Sequence, residues 1–186
     1  MANASSLNRS RSNTRGKKSN NRLLVVVDES PASKSAVEYV ARVLGRRRGF
    51  QLCLAHFLPP LPPRLLEFGG AENPVEERRL EAEIRDEQQQ WIHAARKQAE
   101  PMLNWARTRL RKAGLPASSL TILFSDPASE QDSASAEILG LARGRKCSTI
   151  VVGRRFVCWF HRVTSATDLA EKLVQEGEHL TLWVVE

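Results

Sequence analysis

No stretch of this sequence approaches the ~20 consecutive apolar residues that a membrane-spanning helix needs, so no such helix is predicted. Cysteine is scarce. Cys53, Cys147 and Cys158 make an odd set without paired spacing, which argues against a disulfide framework. Cys53 falls in a strand pattern and Cys147 just before one, as expected of reduced thiols in or near the core of a cytosolic protein. The three cysteines and four scattered histidines assemble no metal site. Also missing are the G-x-S-x-G elbow of a hydrolase, a P-loop and a strand-adjacent G-x-G-x-x-G. His56 has no nucleophile beside it and reads as a packed strand-end residue. No enzyme is predicted.

Acid is absent from the first 22 residues, MANASSLNRSRSNTRGKKSNNR, which carry six of the net seven positive charges. The chain from Leu23 onward is therefore close to neutral, and the basicity belongs to the tail. Rich in Asn, Ser and Arg, the tail has little to bury and is expected to be disordered. It has no apolar segment of the kind a secretory leader carries. Arg- and Ser-rich and poor in acid, it has the composition of a transit peptide, and other readings stay open beside that one and a misassigned start. It is a basic arm that touches nucleic acid or an anionic membrane, in which case its deletion abolishes a salt-sensitive association, or it is a solubilising leader.

Beyond the tail the chain alternates between strand and helix periods. Leu23–Val27 is a continuous apolar run, β-branched at its three valines and followed by Asp28, as for a strand buried on both faces. Ser30 and Pro31 then supply an N-cap and a first-turn proline for a helix on Val37, Val40, Ala41 and Leu44, closed by Gly45. Gln51–Phe57 reads as a second strand. It leads into PPLPPRLLEFGGAENP, too rich in proline and glycine for regular structure. A helical stripe runs from Val75 to Ala113, its first half nearly all charged or amide, and Pro101 is expected to kink or divide it. Leu120–Phe124 reads as strand three, residues 130–143 as a helix, Thr149–Val152 as strand four, Asp168–Gln175 as a helix and Leu180–Val185 as strand five. Strands alternating with helices imply a doubly wound, five-stranded parallel sheet with helices on both faces, a Rossmann-like α/β fold. Ligands of such sheets sit at the carboxyl ends of the strands where their order reverses. Residues 1–22 form the tail, 23–186 the domain, and 59–100 its least typical part.

LLVVVDESPASKSAVEYVARVL, LCLAHF, SDPASEQDSASAEILGLA, KCSTIVVG and LTLWVVE, in that order, resemble the universal stress protein family over residues 23–58 and roughly 102–186. The resemblance implies a cytoplasmic, usually dimeric α/β fold of the adenine nucleotide alpha hydrolase-like type, in which some members bind ATP and others do not. Members that bind it carry, after strand four, a glycine, two residues, a glycine, nine residues, a glycine and a Ser or Thr. Here those positions fall on Gly153, Phe156, Ala166 and Thr167, so two of three glycines are gone. The family's strand-one acid is kept as Asp28, and its glycine before the strand-three proline is Ser125.

Glycines cradle phosphate because they reach positive φ and let N–H groups converge on oxygen. Phe156 disfavours that conformation, and Ser165 with Asp168 resembles a capping box that satisfies the same donors internally. Against these losses, Arg154 and Arg155 are good phosphate donors. Asp28 caps the following helix or accepts hydrogen bonds from a ligand. Phe156, Trp159 and Phe160 fill the vacated pocket, form a protein interface or stack on a base. The proline loop's PxxP-like spacing suits an aromatic groove or merely spans the sheet edge, and the charged helix is a solvated face or a projecting arm.

These residues support two functions of different class. The first is a non-enzymatic regulatory or interaction protein of the stress response, homodimeric through the last strand, which is otherwise an exposed apolar edge. The second is an ATP- or nucleotide-binding sensor using Asp28, Gly153, Arg154, Arg155 and Thr167.

Overall fold

The computed structural model describes residues 21–66, 73–127, 133–154 and 166–186. Five strands, β1 (Arg22–Val26), β2 (Gln51–His56), β3 (Leu120–Phe124), β4 (Thr149–Gly153) and β5 (Thr181–Val185), make one sheet in the order β3-β2-β1-β4-β5. All four pairings are parallel. β1 is central because its Leu23–Val26 run can be buried on both faces. Leu24 lies between Cys53 and Ile150 and Val25 between Leu54 and Val151, and neither is solvent-exposed.

Among the described residues four helices cover the sheet: α1 (Pro31–Leu44), α2 (Pro74–Lys112), α3 (Ala134–Gly144) and α4 (Ala166–Glu176). Alternation along β1 divides the core. Leu23, Val25 and Val27 face α1 and α2 together with Leu52, Leu54 and Val151. Leu24 and Val26 face α3 and Leu173 of α4 together with Cys53, Ala55 and Ile150. The doubly wound α/β architecture expected from the sequence is the one observed.

One expectation is corrected and another narrowed. The Pro63–Leu65 stretch of the proline loop makes a 3-10 turn with Leu65 buried, because prolines pre-set φ for its start and the leucine needs cover. α2 is not divided at Pro101 but continues through it as one helix of 39 residues, roughly 58 Å long. Ala99, Met102, Leu103 and Ala106 flank the proline and are buried against α1 and the sheet, and that packing outweighs the missing backbone donor. No α2 side chain is buried before Ala95. The preceding five turns are held by exposed i,i+4 pairs such as Glu81–Arg85 at 2.8 Å. They are also tied to the proline loop, through Arg64–Glu87 at 3.1 Å and the Gln88 amide donating to the Leu65 carbonyl at 2.7 Å.

The ends of α1 and α2 meet glycine to glycine. A Cβ on Gly45 would stand 2.4 Å from the Ala113 oxygen, and one on Gly114, at φ +110°, 2.4 Å from the Gly45 oxygen. No side chain fits there.

Candidate functional site

β2 and β3 are added to one side of β1 and β4 and β5 to the other, so strand order reverses between the carboxyl ends of β1 and β4. This is the point at which such sheets open a crevice. Asp28 stands at the β1 side and Gly153 at the β4 side.

Asp28 is 5% exposed, and its surroundings are local. Its Oδ1 accepts from the Ser30 backbone N–H at 3.0 Å and from the Ser30 hydroxyl at 2.5 Å. Ser30 in turn caps α1 by accepting from the Ser33 N–H at 3.1 Å, and the Ser33 hydroxyl accepts from the Asp28 N–H at 2.9 Å. The sequence D-x-S-x-x-S thus folds into a closed ring in which carboxylate, cap and helix orient one another. Of the two roles open for Asp28, capping the turn into α1 is the one its Oδ1 performs.

Gly153 ends β4 pressed against the first turn of α1. A Cβ built on it would lie 2.5 Å from the Ala32 carbonyl carbon and 2.6 Å from its oxygen. Its φ is not positive, so close approach, not unusual backbone conformation, demands glycine here.

Arg154 follows, exposed. Its backbone N–H donates to Val185 at 2.6 Å and its guanidinium pairs with Glu186. The side chain is thereby drawn toward β5, away from the β1–β4 crevice. Arg155, Phe156, Trp159 and Phe160 lie outside the described residues. Thr167 falls in the first turn of α4, and its side chain is not described.

The remaining strand ends complete the rim. The His56 Nδ1 lies 2.9 Å from the Val27 carbonyl, and since a carbonyl only accepts, that nitrogen carries the proton. The ring meets Phe124 edge-on at 6.2 Å. His56 is the packed strand-end residue expected of it. Ser125 accepts from the Leu58 N–H at 2.9 Å and donates to the Asp126 carbonyl at 2.7 Å. It fixes the start of the proline loop, a use of the hydroxyl that the family's glycine could not make.

At the opposite end of the sheet lies a contact that sequence reasoning missed. Cys53 of β2 and Cys147, just before β4, are both buried in the core beneath α3 and hydrogen-bond to each other. The Cys147 thiol donates to the Cys53 sulfur, and with some help from the Arg22 and Arg145 guanidinium groups this outweighs burial and lowers the Cys53 pKa to about 7. The same bond, with burial, pushes Cys147 up. Two residues 94 positions apart leave no spacing signal; only the register of the sheet and the path of α3 join them. Among the described residues no cluster of His, Cys, Asp and Glu could hold a metal ion, and no helix is long and apolar enough to cross a membrane.

The universal stress protein family model matches residues 19–175. No curated protein matches the sequence. Among solved structures, a universal stress protein family member from Burkholderia pseudomallei is similar at 14% identity and a TM-score of 0.56, covering 91% of this chain and 98% of its own. A universal stress protein in complex with cAMP is similar at 15% identity and a TM-score of 0.51, with coverages of 90% and 97%. One from Archaeoglobus fulgidus in complex with dAMP is similar at 18% identity and a TM-score of 0.50, with coverages of 89% and 97%. At these identities the likeness is one of fold.

Proposed function

The chain belongs to the universal stress protein family, and on that premise we propose that it is a cytoplasmic regulatory protein of the stress response, homodimeric and without turnover, which does not bind ATP in the standard way. The observation that carries this reading is the closeness of Gly153 to Ala32. The one glycine retained from the phosphate-binding pattern is used to seat β4 on α1. Asp28 and Arg154, the other described positions of the motif, are engaged with Ser30 and Glu186. The residues present therefore fit a nucleotide only in part. Side-chain surfaces are what is left to serve function, among them Phe156, Trp159 and Phe160 as a contact for a protein partner.

The sheet order supports a dimer contact at β5. β5 is an edge strand and leaves Val184 42% exposed. A second copy pairing there covers the apolar edge.

The test is the melting temperature with and without millimolar ATP and Mg²⁺. A ligand at ~100 times its dissociation constant stabilises by about 2.7 kcal/mol, a shift of several degrees for a domain of this size. No shift is expected. A clear rise favours the second reading, a nucleotide sensor in which Asp28, Gly153, Arg154, Arg155 and Thr167 hold the ligand. That reading draws on the position of the buried Asp28 at the switch point and on the relatives solved with cAMP and dAMP.

A further inference from the structure

Near-neutrality of the folded part conceals a separation of charge. All five strands are parallel, so every loop that leads from a helix into a strand lies at one end of the sheet, opposite the Asp28 crevice. Three of these loops contain no acid at all. Between Leu44 and Gln51 the α1–β2 loop reads GRRRGF, with Arg46, Arg47 and Arg48 exposed. The end of α2 and its exit to β3 read RLRKAGLPASS, with Arg111 and Lys112 exposed. The α3–β4 loop reads RGRKC, with Arg145 and Lys146 exposed.

The loops also touch. Gly45 and Gly114 bring the first two into backbone contact. The third reaches the start of β1, where the Arg22 guanidinium donates to the Arg145 carbonyl at 2.8 Å and Ser148 donates to the Arg22 carbonyl at 2.8 Å. The result is one continuous basic face from β3 across β2 and β1 to β4. Only at the β5 end does acid enter, with Glu176 and Glu178. Asn21, where residues 1–20 with their further five basic side chains join the domain, sits at the same end.

We propose that this amino-end face docks on the phosphate backbone of a nucleic-acid duplex, without reading its sequence. Three strand steps of about 4.8 Å make a face roughly 14 Å across, and duplex DNA carries one negative charge per ~1.7 Å of axis with both strands counted, so about eight phosphate charges lie along that length, those on the near side within reach of the face. Arginine outnumbers lysine on it, and arginine's planar fork suits phosphate oxygens. An anionic membrane is the weaker match. Among the described residues the exposed large apolar side chains are Leu66, Val75, Val174 and Val184, none of them on this face, so nothing there would enter a lipid surface. Phe50, in the first of these loops, is half-buried against the core, and among the described residues no exposed aromatic ring stands ready to stack on a base, which favours a duplex over a single strand.

The test is fluorescence anisotropy of the full chain with a short labelled DNA duplex, titrated with KCl from about 50 to 200 mM. Binding is expected to weaken steeply with salt. The loop variant R46S/R47S/R48S is expected to bind at least tenfold more weakly at fixed salt and to lower the slope of log K against log[salt] by about 2.7, three lost phosphate contacts at 0.9 each. R111S/K112S, on a different loop, is expected to weaken binding further when combined with it. R78S/R79S/R85S removes as much charge from the outer half of α2 and is expected to leave binding within twofold. Thermal melts of each variant verify the fold. The proposal is overturned by a loop variant that melts and binds like the parent, by equal losses from the α2 variant, or by a chain that ignores the duplex. Capture by phosphatidylserine–phosphatidylcholine vesicles in place of the duplex also overturns it.

Discussion

Gly153 lies so close to Ala32 that a Cβ on it would stand 2.5 Å from the Ala32 carbonyl carbon. The contact is backbone against backbone, so no side chain can turn aside to relieve it. Gly153→Ala is expected to push β4 from α1 at a cost of about 1–3 kcal/mol, lowering Tm by roughly 3–10 °C. Gly140, exposed on α3 with nothing within 4 Å of a built Cβ, is the control. Gly140→Ala is expected to raise Tm by about 2 °C through helix propensity alone. If the two substitutions melt alike, the glycine of β4 is not a packing residue and its proposed role fails.

The ring of Asp28, Ser30 and Ser33 separates folding from ligand binding at the crevice. Asp28→Ala removes the acceptor for the Ser30 N–H and hydroxyl and is expected to cost about 1–3 kcal/mol. Asp28→Asn keeps a carbonyl oxygen at that place and is expected to retain most of the stability. A carboxylate that matters only through its charge removes this difference, with Asn as damaging as Ala in denaturant titration. Because Asp28→Ala disturbs α1, a loss of nucleotide response in it would not identify a ligand contact; Asp28→Asn is the cleaner probe.

Element by element, most of the fold was legible in the sequence. The continuous apolar run of β1 marked it as a strand buried on both faces, and Ser30, Pro31 and Gly45 marked α1 to the residue. Local chemistry decides those features, so local sequence reveals them. The use of Gly153 was not legible: the same glycine serves a phosphate or a neighbouring helix, and only the distance to Ala32 distinguishes them. Nor was the basic face. Net charge sums over the chain, whereas Arg46–Arg48, Arg111, Lys112 and Arg145 gather at one end only because parallel strands put their entry loops there. That α2 would run through Pro101 undivided was illegible for a related reason, since propensity is a local quantity and the buried stripe around it is not.

The Cys53–Cys147 pair gives a pH dependence whose sign is fixed. Cys53 ionises near 7 in the fold against an ordinary thiol value of 9.0, so the stability it contributes is present above 9 and is lost as pH falls through about 7. Cys147 is shifted upward, so its contribution is present below 9 and is lost as pH rises beyond it. Between about 7 and 9 the fold is therefore expected to gain stability from this pair with rising pH. Cys147→Ala removes the donor and is expected to return the Cys53 titration toward 9.0, followed by ultraviolet thiolate absorbance. An unchanged titration in that variant would sink the hydrogen bond as the cause.

Pro101 offers the sharpest check on how α2 is held. It is exposed and lies between Ala99 and Met102, both buried, so the helix passes it because of packing and in spite of the proline. Proline in a helix interior costs up to about 3 kcal/mol relative to alanine. If the backbone at this point is near-ideal helix, Pro101→Ala restores the missing N–H and is expected to stabilise by about 1–3 kcal/mol, raising Tm by several degrees. If the ring instead sets a bend that lets the inner half of α2 follow α1 while the outer half leaves the sheet, the restored hydrogen bond straightens the helix. Ala99, Met102 and Ala106 then lose their fit, and Tm falls. Thermal melting of this one variant decides between a helix that tolerates its proline and one shaped by it.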